Sequence, residues 1–301
     1  MDQTDIKLRL YWERELYMIT ETVDLYGYYG QLRKGETVGS LTCWIQQTPA
    51  AVSSCRKRPA ILILPGGGYH HTSPREAEPV ALRFAALGYA AFVLHYSCAP
   101  SSFPTALREA AMAMDYIRRN AGRFEIDPRM VAALGFSAGG HLCGCLGTMF
   151  DCPEVADLGT PQQLRPDALG LCYPVTVSWG RTHEGSFDNL CGGDPGLRHR
   201  LSLDRLVRPD MPPVFLWHTR EDASVPCRNS LILAQAMEEA GVDFVLHIYR
   251  KGKHGLSTAD AMAFPAYALP KISWDVPGWL EACVRYFGEI GLTVTDKEES
   301  I

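Results

Sequence analysis

Length, composition and charge limit what kind of protein this chain can be. It has 301 residues, 47% of them apolar and 21% charged, and a formal net charge of -5 at pH 7. Such values are ordinary for a folded globular protein and exclude the disordered and fibrous classes. Lysine and arginine form no basic run, so we expect no nucleic acid and no membrane as a partner. The expected partner is a small molecule.

Neither a signal peptide nor a membrane-spanning segment is expected. Residues 1–20 mix acidic and basic side chains without the apolar run that a signal peptide needs. No later stretch reaches the ~18 consecutive apolar residues of a spanning helix. The predicted location is therefore the cytoplasm. There, the ten cysteines are expected to be reduced and mostly buried thiols, and not disulfides or ligands of a metal site.

Residues 1–57 predict an N-terminal strand extension. Alternating stretches at 23–29 and 37–44 are typical of antiparallel strands at the edge of a sheet. Much later, residues 174–212 form a connection rich in Gly, Pro, Arg and Asp. Because loops of that length are usually functional, this connection is expected to form part of the substrate pocket. The whole chain, 1–301, is expected to be one domain.

Beyond residue 57, strand-like and helix-like stretches alternate along the chain. The predicted strands are 60–64, 89–95, 130–135, 168–173, 214–218 and 244–249. The predicted amphipathic helices are 78–87, 105–119, 229–240 and 279–290. Near-continuous apolar strands are typical of a parallel sheet that helices cover on both faces. The alternation therefore predicts a doubly wound α/β fold.

A Gly-x-Ser-x-Gly motif at 135–139 predicts a catalytic nucleophile, Ser137. It lies between the predicted strand 130–135 and a helix-compatible stretch at 141–149. A sharp turn there holds the serine in a strained conformation, and only small neighbours let the flanking backbones approach each other. The helix N-terminus beside the serine offers N–H groups and a favourable dipole to an oxyanion.

The segment 65–69, Pro-Gly-Gly-Gly-Tyr, predicts an oxyanion hole. It directly follows the strand 60–64, and successive glycines suit a backbone that must turn its N–H groups toward a ligand. The predicted donors are the N–H groups of Gly67, Gly68 and Ala138. A phosphate-binding loop is disfavoured, because no Lys-Ser or Lys-Thr pair follows.

The loops after two further strands predict the acid and the base. Asp222 follows the strand 214–218 and is the expected carboxylate, with its neighbour Glu221 as the alternative. His254 stands between glycines after the strand 244–249 and is the expected general base. The order Ser, Asp, His along the chain is the one that hydrolases of this motif order show.

Other side chains are candidates for less central positions. His218 is expected to be a structural residue at the end of its strand. The candidates for lining the substrate pocket are Tyr69, His70, His71 and His183.

Together, the motifs at 65–69, 126–140, 218–226 and 252–255 resemble those of α/β-hydrolase esterases related to acetyl-xylan esterases and to hormone-sensitive-lipase-like carboxylesterases. The similarity spans residues ~58 to ~290. It implies the α/β-hydrolase fold, a mostly parallel central sheet flanked by helices, here with N-terminal antiparallel edge strands. It also implies hydrolysis of short-chain acyl esters, with acetyl groups on carbohydrate as the expected class, without a metal or an organic cofactor.

Two alternatives to this esterase stay open at this point. One is an amide hydrolase or oligopeptidase-like enzyme, since a Ser-His-Asp triad serves amides as well as esters. The other is a non-catalytic binding protein that keeps the hydrolase fold. An exposed edge strand would also support a homodimer.

Overall fold

The computed structural model of the protein describes residues 18–31, 37–47 and 56–296, through which a nine-stranded β-sheet runs. Its strands are β1 (Met18–Asp24), β2 (Ser40–Gln46), β3 (Arg56–Leu64), β4 (Ala90–His95), β5 (Ile126–Phe136), β6 (Ala168–Cys172), β7 (Val214–Thr219), β8 (Phe244–Tyr249) and β9 (Thr295–Asp296). The α-helices are α1 (Leu25–Tyr28), α2 (Glu78–Ala86), α3 (Thr105–Arg119), α4 (Ala138–Thr148), α5 (Pro161–Leu164), α6 (Glu184–Cys191), α7 (Pro195–Arg200), α8 (Leu203–Leu206), α9 (Arg228–Glu239) and α10 (Trp279–Glu289). Short 3-10 helices lie at Pro74–Glu76, Ala266–Ala268 and Val276–Gly278.

The sheet is mostly parallel, with an antiparallel edge. The strand order is β1, β2, β4, β3, β5, β6, β7, β8, and β9 pairs with β3 outside this path. From β4 to β8 along this order, every neighbouring pair is parallel. β1 pairs antiparallel with β2, and β2 pairs antiparallel with β4. The predicted α/β-hydrolase architecture with N-terminal antiparallel edge strands is confirmed.

The central strands are apolar on both sides because both faces of the sheet are covered. In β3, Ala60, Leu62 and Leu64 pack into one core cluster, whereas Ile61 and Ile63 pack into the other. This alternation follows from the two-residue period of a strand. Helices α3 and α4 belong to the first core, and α2 and α10 to the second. The carboxyl ends of the parallel strands are thereby held in one rigid edge, where the site lies.

The predicted strand 23–29 is wrong beyond Asp24, because the chain turns there into helix α1. Leu25 and Tyr26 are consecutive and both buried, which a strand at the sheet edge would not allow. The helical turn lets the Tyr26 hydroxyl donate to buried Glu109 at 2.8 Å. The predicted strand 37–44 is observed as β2, shifted by two to three residues. Within the predicted 1–57 extension, residues 1–17, 32–36 and 48–55 lie outside the described residues.

Three general properties concern the described part of the chain. No helix there is long and apolar enough to cross a membrane. Nine cysteines lie in the described residues and none of them forms a disulfide there, while Cys55 lies outside. Within the same residues, no group of three or more His, Cys, Asp or Glu side chains is arranged to hold a metal ion.

Candidate active site

The nucleophile turn joins β5 to α4 and requires its glycines. Ser137 has φ 53 and ψ -116, a strained conformation for a residue with a side chain. A Cβ atom on Gly135 would lie 2.1 Å from the Gly139 carbonyl oxygen, and one on Gly139 would lie 2.1 Å from that of Leu64. The Ser137 N–H donates to the Cys172 carbonyl at 3.0 Å, which ties the turn to β6. The turn therefore presents the Ser137 hydroxyl at the carboxyl edge of the sheet.

Ser137, His254 and Asp222 form one hydrogen-bonded chain. His254 Nδ1 lies 2.6 Å from Asp222 Oδ2, and His254 Nε2 lies 2.7 Å from Ser137 Oγ. An ionised carboxylate only accepts hydrogen bonds, so Nδ1 carries the proton and donates it to Asp222. Nε2 is then the acceptor of the Ser137 hydroxyl proton. The sequence-predicted acid, base and nucleophile thus meet in the arrangement that proton transfer from the serine requires.

Asp222 is held in its charged form. Its side chain is fully buried, and Oδ1 accepts the N–H groups of Ser224 at 3.0 Å and Val225 at 2.9 Å. Burial by itself would raise the pKa of this carboxyl, but the contacts with His218 and His254, the charge of His254 and the Val225 N–H outweigh burial and lower the pKa. The carboxylate is therefore ionised at neutral pH, where it accepts the hydrogen bond of His254 Nδ1.

The alternative acid, Glu221, is exposed, whereas Asp222 is buried against the histidine. His218 is fully buried near the end of β7, as expected for a structural residue. Its Nε2–H donates to the Val225 carbonyl at 2.8 Å, so its Nδ1 accepts from the Ser230 hydroxyl at 2.8 Å. These contacts hold the loop that carries Asp222 onto the sheet.

The carbonyl groups of the glycine loop after β3 are all hydrogen-bonded. Each carbonyl oxygen from 65 to 69 accepts a hydrogen bond: Pro65 from Tyr96 (2.6 Å), Gly66 from Ser73 (2.8 Å), Gly67 from His70 (3.0 Å), Gly68 from Asn189 (2.9 Å) and Tyr69 from Ala99 (2.7 Å). Within the described part of the chain, the N–H groups of Gly67, Gly68 and Ala138 donate no hydrogen bond. Three predicted oxyanion donors are therefore available to a ligand.

The loop touches the nucleophile turn directly. A Cβ atom on Gly66 would lie 2.9 Å from the Ser137 Cβ and 2.8 Å from the Phe136 carbonyl oxygen. Gly67 and Gly68 have φ 129 and φ 65, values that side chains disfavour. Glycine is needed here both for the close approach and for the conformation.

A cavity of about 400 Å³ opens over Ser137 and His254. Its lining contains glycine and polar or charged side chains and no aliphatic or aromatic hydrocarbon side chain: Gly67, Gly68, His70, His71, Ser73, Arg75, Glu76, Ser137, His183, Gly185, Asn189, Ser224, His254 and Gly255. Three of the four sequence-predicted pocket residues, His70, His71 and His183, line it. The 174–212 connection contributes His183, Gly185 and Asn189, in and just before α6.

Tyr69 does not line the cavity, and this prediction is corrected. It is 2% exposed, its hydroxyl lies 2.9 Å from His141 Nδ1, and its ring packs edge-on against Tyr96. His141 Nε2–H donates to the Leu201 carbonyl, so Nδ1 accepts from Tyr69. The side chain therefore supports the glycine loop from behind. The backbone bend through Gly68 and Tyr69, both at positive φ, turns the ring inward.

His183 is held close to the hydrogen-bonded chain. Its Nδ1 lies 2.8 Å from the Ser186 hydroxyl, and its Cε1 faces Gly68. Burial, and then the charge of His254 when that ring is protonated, lower the pKa of His183 and favour its neutral form. A neutral imidazole at this position can contact an uncharged substrate group without adding a positive charge to the site.

Sequence reasoning missed several residues of the cavity, most notably Arg75, Glu76 and Asn189. Arg75 and Glu76 precede helix α2, where charged residues commonly cap a helix, so nothing local marks them as part of a site. Asn189 lies inside α6 and reaches the Gly68 carbonyl from 121 residues away. Its position depends on how the long connection folds back over the sheet.

Two protein families match parts of the chain. Residues 49–160 match the family BD-FAE, and residues 194–269 match the prolyl oligopeptidase family. The first match covers the glycine loop and Ser137, and the second covers Asp222 and His254.

Two curated proteins match the chain over longer stretches. The chain is 36% identical over 223 residues to endo-1,4-beta-xylanase B of Butyrivibrio fibrisolvens, which is 70% of this chain and 34% of that protein. It is 28% identical over 267 residues to the acetylxylan esterase of Xylanibacter ruminicola, which is 85% of this chain and 52% of that protein. The chain thus spans between about a third and about half the length of these curated relatives.

Solved structures match over nearly their whole length. The acetyl ester-xyloside bifunctional hydrolase of Caldicellulosiruptor lactoaceticus superposes with a TM-score of 0.79 at 36% identity, and the match covers 91% of this chain and 97% of that one. The site at the carboxyl edge of a mostly parallel sheet agrees with these similarities, and the chain belongs to the α/β-hydrolase family.

Proposed function

We propose that this protein is a serine esterase that removes short acyl groups, acetyl above all, from hydroxyl-rich alcohols such as carbohydrates. The observation that carries the proposal is the continuous hydrogen-bonded chain from Ser137 through His254 to Asp222, with bonds of 2.7 and 2.6 Å. It lies in the same cavity as the N–H groups of Gly67 and Gly68, which donate no hydrogen bond within the described part of the chain.

The proposed reaction has two steps. Ser137 Oγ attacks the ester carbonyl while His254 Nε2 takes the hydroxyl proton, and the oxyanion is bound by the N–H groups of Gly67, Gly68 and Ala138. The intermediate collapses, His254 gives its proton to the departing alcohol, and an acyl-enzyme remains on Ser137. Water then attacks that ester, His254 again accepts the proton, and the carboxylic acid leaves. These residues supply every proton and charge that the reaction moves, so we propose no metal or organic cofactor.

The cavity supports a small acyl group and a polar alcohol. A long or aromatic acyl chain gains affinity mainly by burial against apolar side chains, and the cavity lining holds none. Histidines, Arg75, Glu76 and Asn189 instead offer hydrogen-bond partners to hydroxyl groups. Relatives named acetylxylan esterase and acetyl ester-xyloside hydrolase support the same class of substrate.

Location and assembly remain predictions. We propose a cytoplasmic protein, as the sequence predicts, without nucleic acid or membrane as a partner. A homodimer would form through an edge of the sheet, at β1 or β8. Sedimentation of the purified protein tests the second point, since a monomer at all concentrations would exclude it.

The test of the proposed function is hydrolysis of p-nitrophenyl acetate, butyrate and octanoate and of acetylated xylo-oligosaccharides. We expect rates that fall with acyl length, acetate released from the sugar, and a loss on the order of 10⁴-fold or more in kcat for Ser137→Ala. Ser102→Ala, at a serine outside the cavity lining, serves as the control and should retain activity. Activity that survives in Ser137→Ala would refute the mechanism.

The same experiment separates the alternatives. The match of residues 194–269 to the prolyl oligopeptidase family makes an amide substrate the second candidate. Acyl p-nitroanilides of the same acyl groups should be cleaved far more slowly than the esters if the proposal is right. A protein that hydrolyses neither class and is not labelled by a fluorophosphonate would be the binding protein.

A further inference from the structure

Glu76 lies between the glycine loop and the loop that carries His254. It belongs to the 3-10 helix Pro74–Glu76, is 4% exposed, and is the only carboxylate in the cavity lining, all of which lies within the described residues. Its Oε2 accepts the Gly66 N–H at 2.8 Å, and its Oε1 accepts the Tyr173 hydroxyl at 2.7 Å. Two separate segments therefore converge on one carboxylate.

The Tyr173 side leads to the base. Its hydroxyl accepts the N–H of Ser257 at 2.8 Å, and its ring packs edge-on against the His254 ring, with centroids 5.1 Å apart. Ser257, three residues after His254, also donates its hydroxyl proton to the Arg75 carbonyl. Ser257 is therefore linked to residues 75 and 76 in two ways. Its hydroxyl donates to the Arg75 carbonyl, and its N–H reaches the Glu76 side chain through the Tyr173 hydroxyl.

The Gly66 side leads to the oxyanion donors. The carbonyl groups of the glycine loop are held by uncharged donors, but the Gly66 N–H, directly before the two donor glycines, is held by a carboxylate. Hydrogen bonds to a charged acceptor are stronger than those to neutral groups. Because Gly67 and Gly68 have wide conformational freedom, their N–H directions depend on how firmly the preceding peptide is held.

We propose that Glu76 is a positioning residue. By accepting Gly66 N–H and Tyr173 O–H together, it keeps the oxyanion donors in a fixed position relative to His254. The inference rests on the proposed function and deepens it, because it concerns the same site. Glu76 touches neither reacting atom in this arrangement. It acts through the glycine loop on one side and through Tyr173 on the other.

The test compares the rate of Ser137 labelling by a fluorophosphonate in the wild-type protein, Glu76→Ala and Glu76→Gln. Labelling passes through an oxyanion and needs His254, so it reports on both loops. We expect Glu76→Ala to label roughly 10- to 100-fold more slowly and to lose the same factor in kcat for p-nitrophenyl acetate, with KM within about twofold. Glu78→Ala, which alters an exposed glutamate two residues away, is the matched control and should label at the wild-type rate.

Glu76→Gln separates positioning from a mere loss of folding. The amide oxygen can still accept Gly66 N–H, but the amide nitrogen cannot accept the Tyr173 hydroxyl, so this variant should recover part of the labelling rate and stay below the wild type. Glu76→Gln as slow as Glu76→Ala would show that the contact with Gly66 is not what matters, and would overturn the inference. If Glu76→Ala does not fold, Glu76→Gln alone decides: a loss of about 2- to 10-fold agrees with the proposal, and labelling at the wild-type rate contradicts it.

A double-mutant cycle tests the link between the two loops. If Glu76 and Tyr173 act as one unit, Tyr173→Phe should add little to the loss already caused by Glu76→Ala. Fully additive losses would refute the link. A wild-type protein that is not labelled at all would refute the proposed function instead, whereas a labelled wild type with an equally fast Glu76→Ala refutes only the role of Glu76.

Discussion

His218 Nε2 lies 3.3 Å from Asp222 Oδ2, the same oxygen that accepts the hydrogen bond of His254. The two histidines thus approach one carboxylate oxygen, one from the strand and one from the loop of the proposed base. His218 is fully buried and makes its own bonds to Val225 and Ser230. Its ring therefore limits how Asp222 can turn, and Asp222 in turn sets the orientation of His254.

Replacing His218 should affect stability and activity together. In His218→Phe, a ring of similar size leaves the Val225 carbonyl and the Ser230 hydroxyl without partners in the interior, so we expect a loss of about 2–4 kcal/mol in the free energy of unfolding. We also expect kcat to fall about tenfold, because Asp222 loses a neighbour. Urea unfolding and steady-state kinetics measure the two effects. His247→Phe, a half-buried histidine on β8, is the control, and an unchanged kcat in folded His218→Phe would contradict the argument.

Replacing each of the two neighbouring acids, Asp222 and Glu221, by its amide should affect activity very differently. In Asp222→Asn the amide favours the wrong tautomer of His254, so kcat should fall on the order of 10⁴-fold. Glu221→Gln, at the exposed neighbour, should stay within about twofold of wild type. Ester hydrolysis by both variants decides between the two acids. Equal losses, or a larger loss for Glu221→Gln, would reassign the carboxylate.

The lowered pKa of Asp222 also predicts a pH dependence. Its ionised form stabilises the folded protein above the unfolded-state pKa, and this contribution is lost only as pH falls through the lower folded-state pKa. Asp222 should therefore remain charged through the mildly acidic range. We expect that a carboxylate signal assigned to Asp222 in NMR spectra does not titrate between about pH 5 and pH 8. A titration of that signal within this range would show that the contacts with the histidines do not hold its charge.

A methyl group on the glycine loop should remove the oxyanion hole. In Gly67→Ala the new Cβ would lie 2.0 Å from the His71 carbonyl oxygen at a φ of 129, so the loop must move. We expect kcat to fall about 10²- to 10³-fold with a much smaller change in KM, which is the effect of losing an oxyanion donor. Gly122→Ala, with open space around its Cβ, should leave both constants unchanged. A wild-type kcat in Gly67→Ala would show that this loop does not bind the oxyanion.

His141 should make the protein sensitive to acid. Burial lowers its pKa from 6.5 to about 4. The unfolded chain therefore binds more protons in this range, and stability is present above pH 6.5 and lost as pH falls toward 4. The loss due to His141 should be on the order of 3 kcal/mol. Urea unfolding between pH 7 and pH 4 measures the slope, and His141→Gln should show a shallower one; identical slopes would contradict the assignment.

Several features could be predicted from the sequence because neighbouring residues determine them. Strands buried on both faces are apolar at every position, as in β6 and β7, so their existence is visible locally. The glycines around Ser137 and in the glycine loop are needed by backbone conformations and close contacts a few residues long. The order of motifs then placed His254 and Asp222 after their strands, where the structure brings them together.

The predictions that failed were those in which tertiary packing overrides a local pattern. Residues 25–28 alternate like a strand, but Leu25 and Tyr26 both enter the core, so a helical turn forms. Tyr69 follows the glycines of a predicted pocket, but its hydroxyl finds His141 on the buried side.

By itself, the sequence determined the fold class, the order of the motifs along the chain, and which serine, histidine and aspartate stand at strand ends. Only the tertiary structure decided that Glu76 contacts both Gly66 and Tyr173, that Asn189 holds Gly68, and that His218 approaches Asp222. The physical reason is range. Backbone conformation and burial leave a record in adjacent residues, whereas hydrogen bonds between side chains tens of residues apart depend on how the connections return over the sheet.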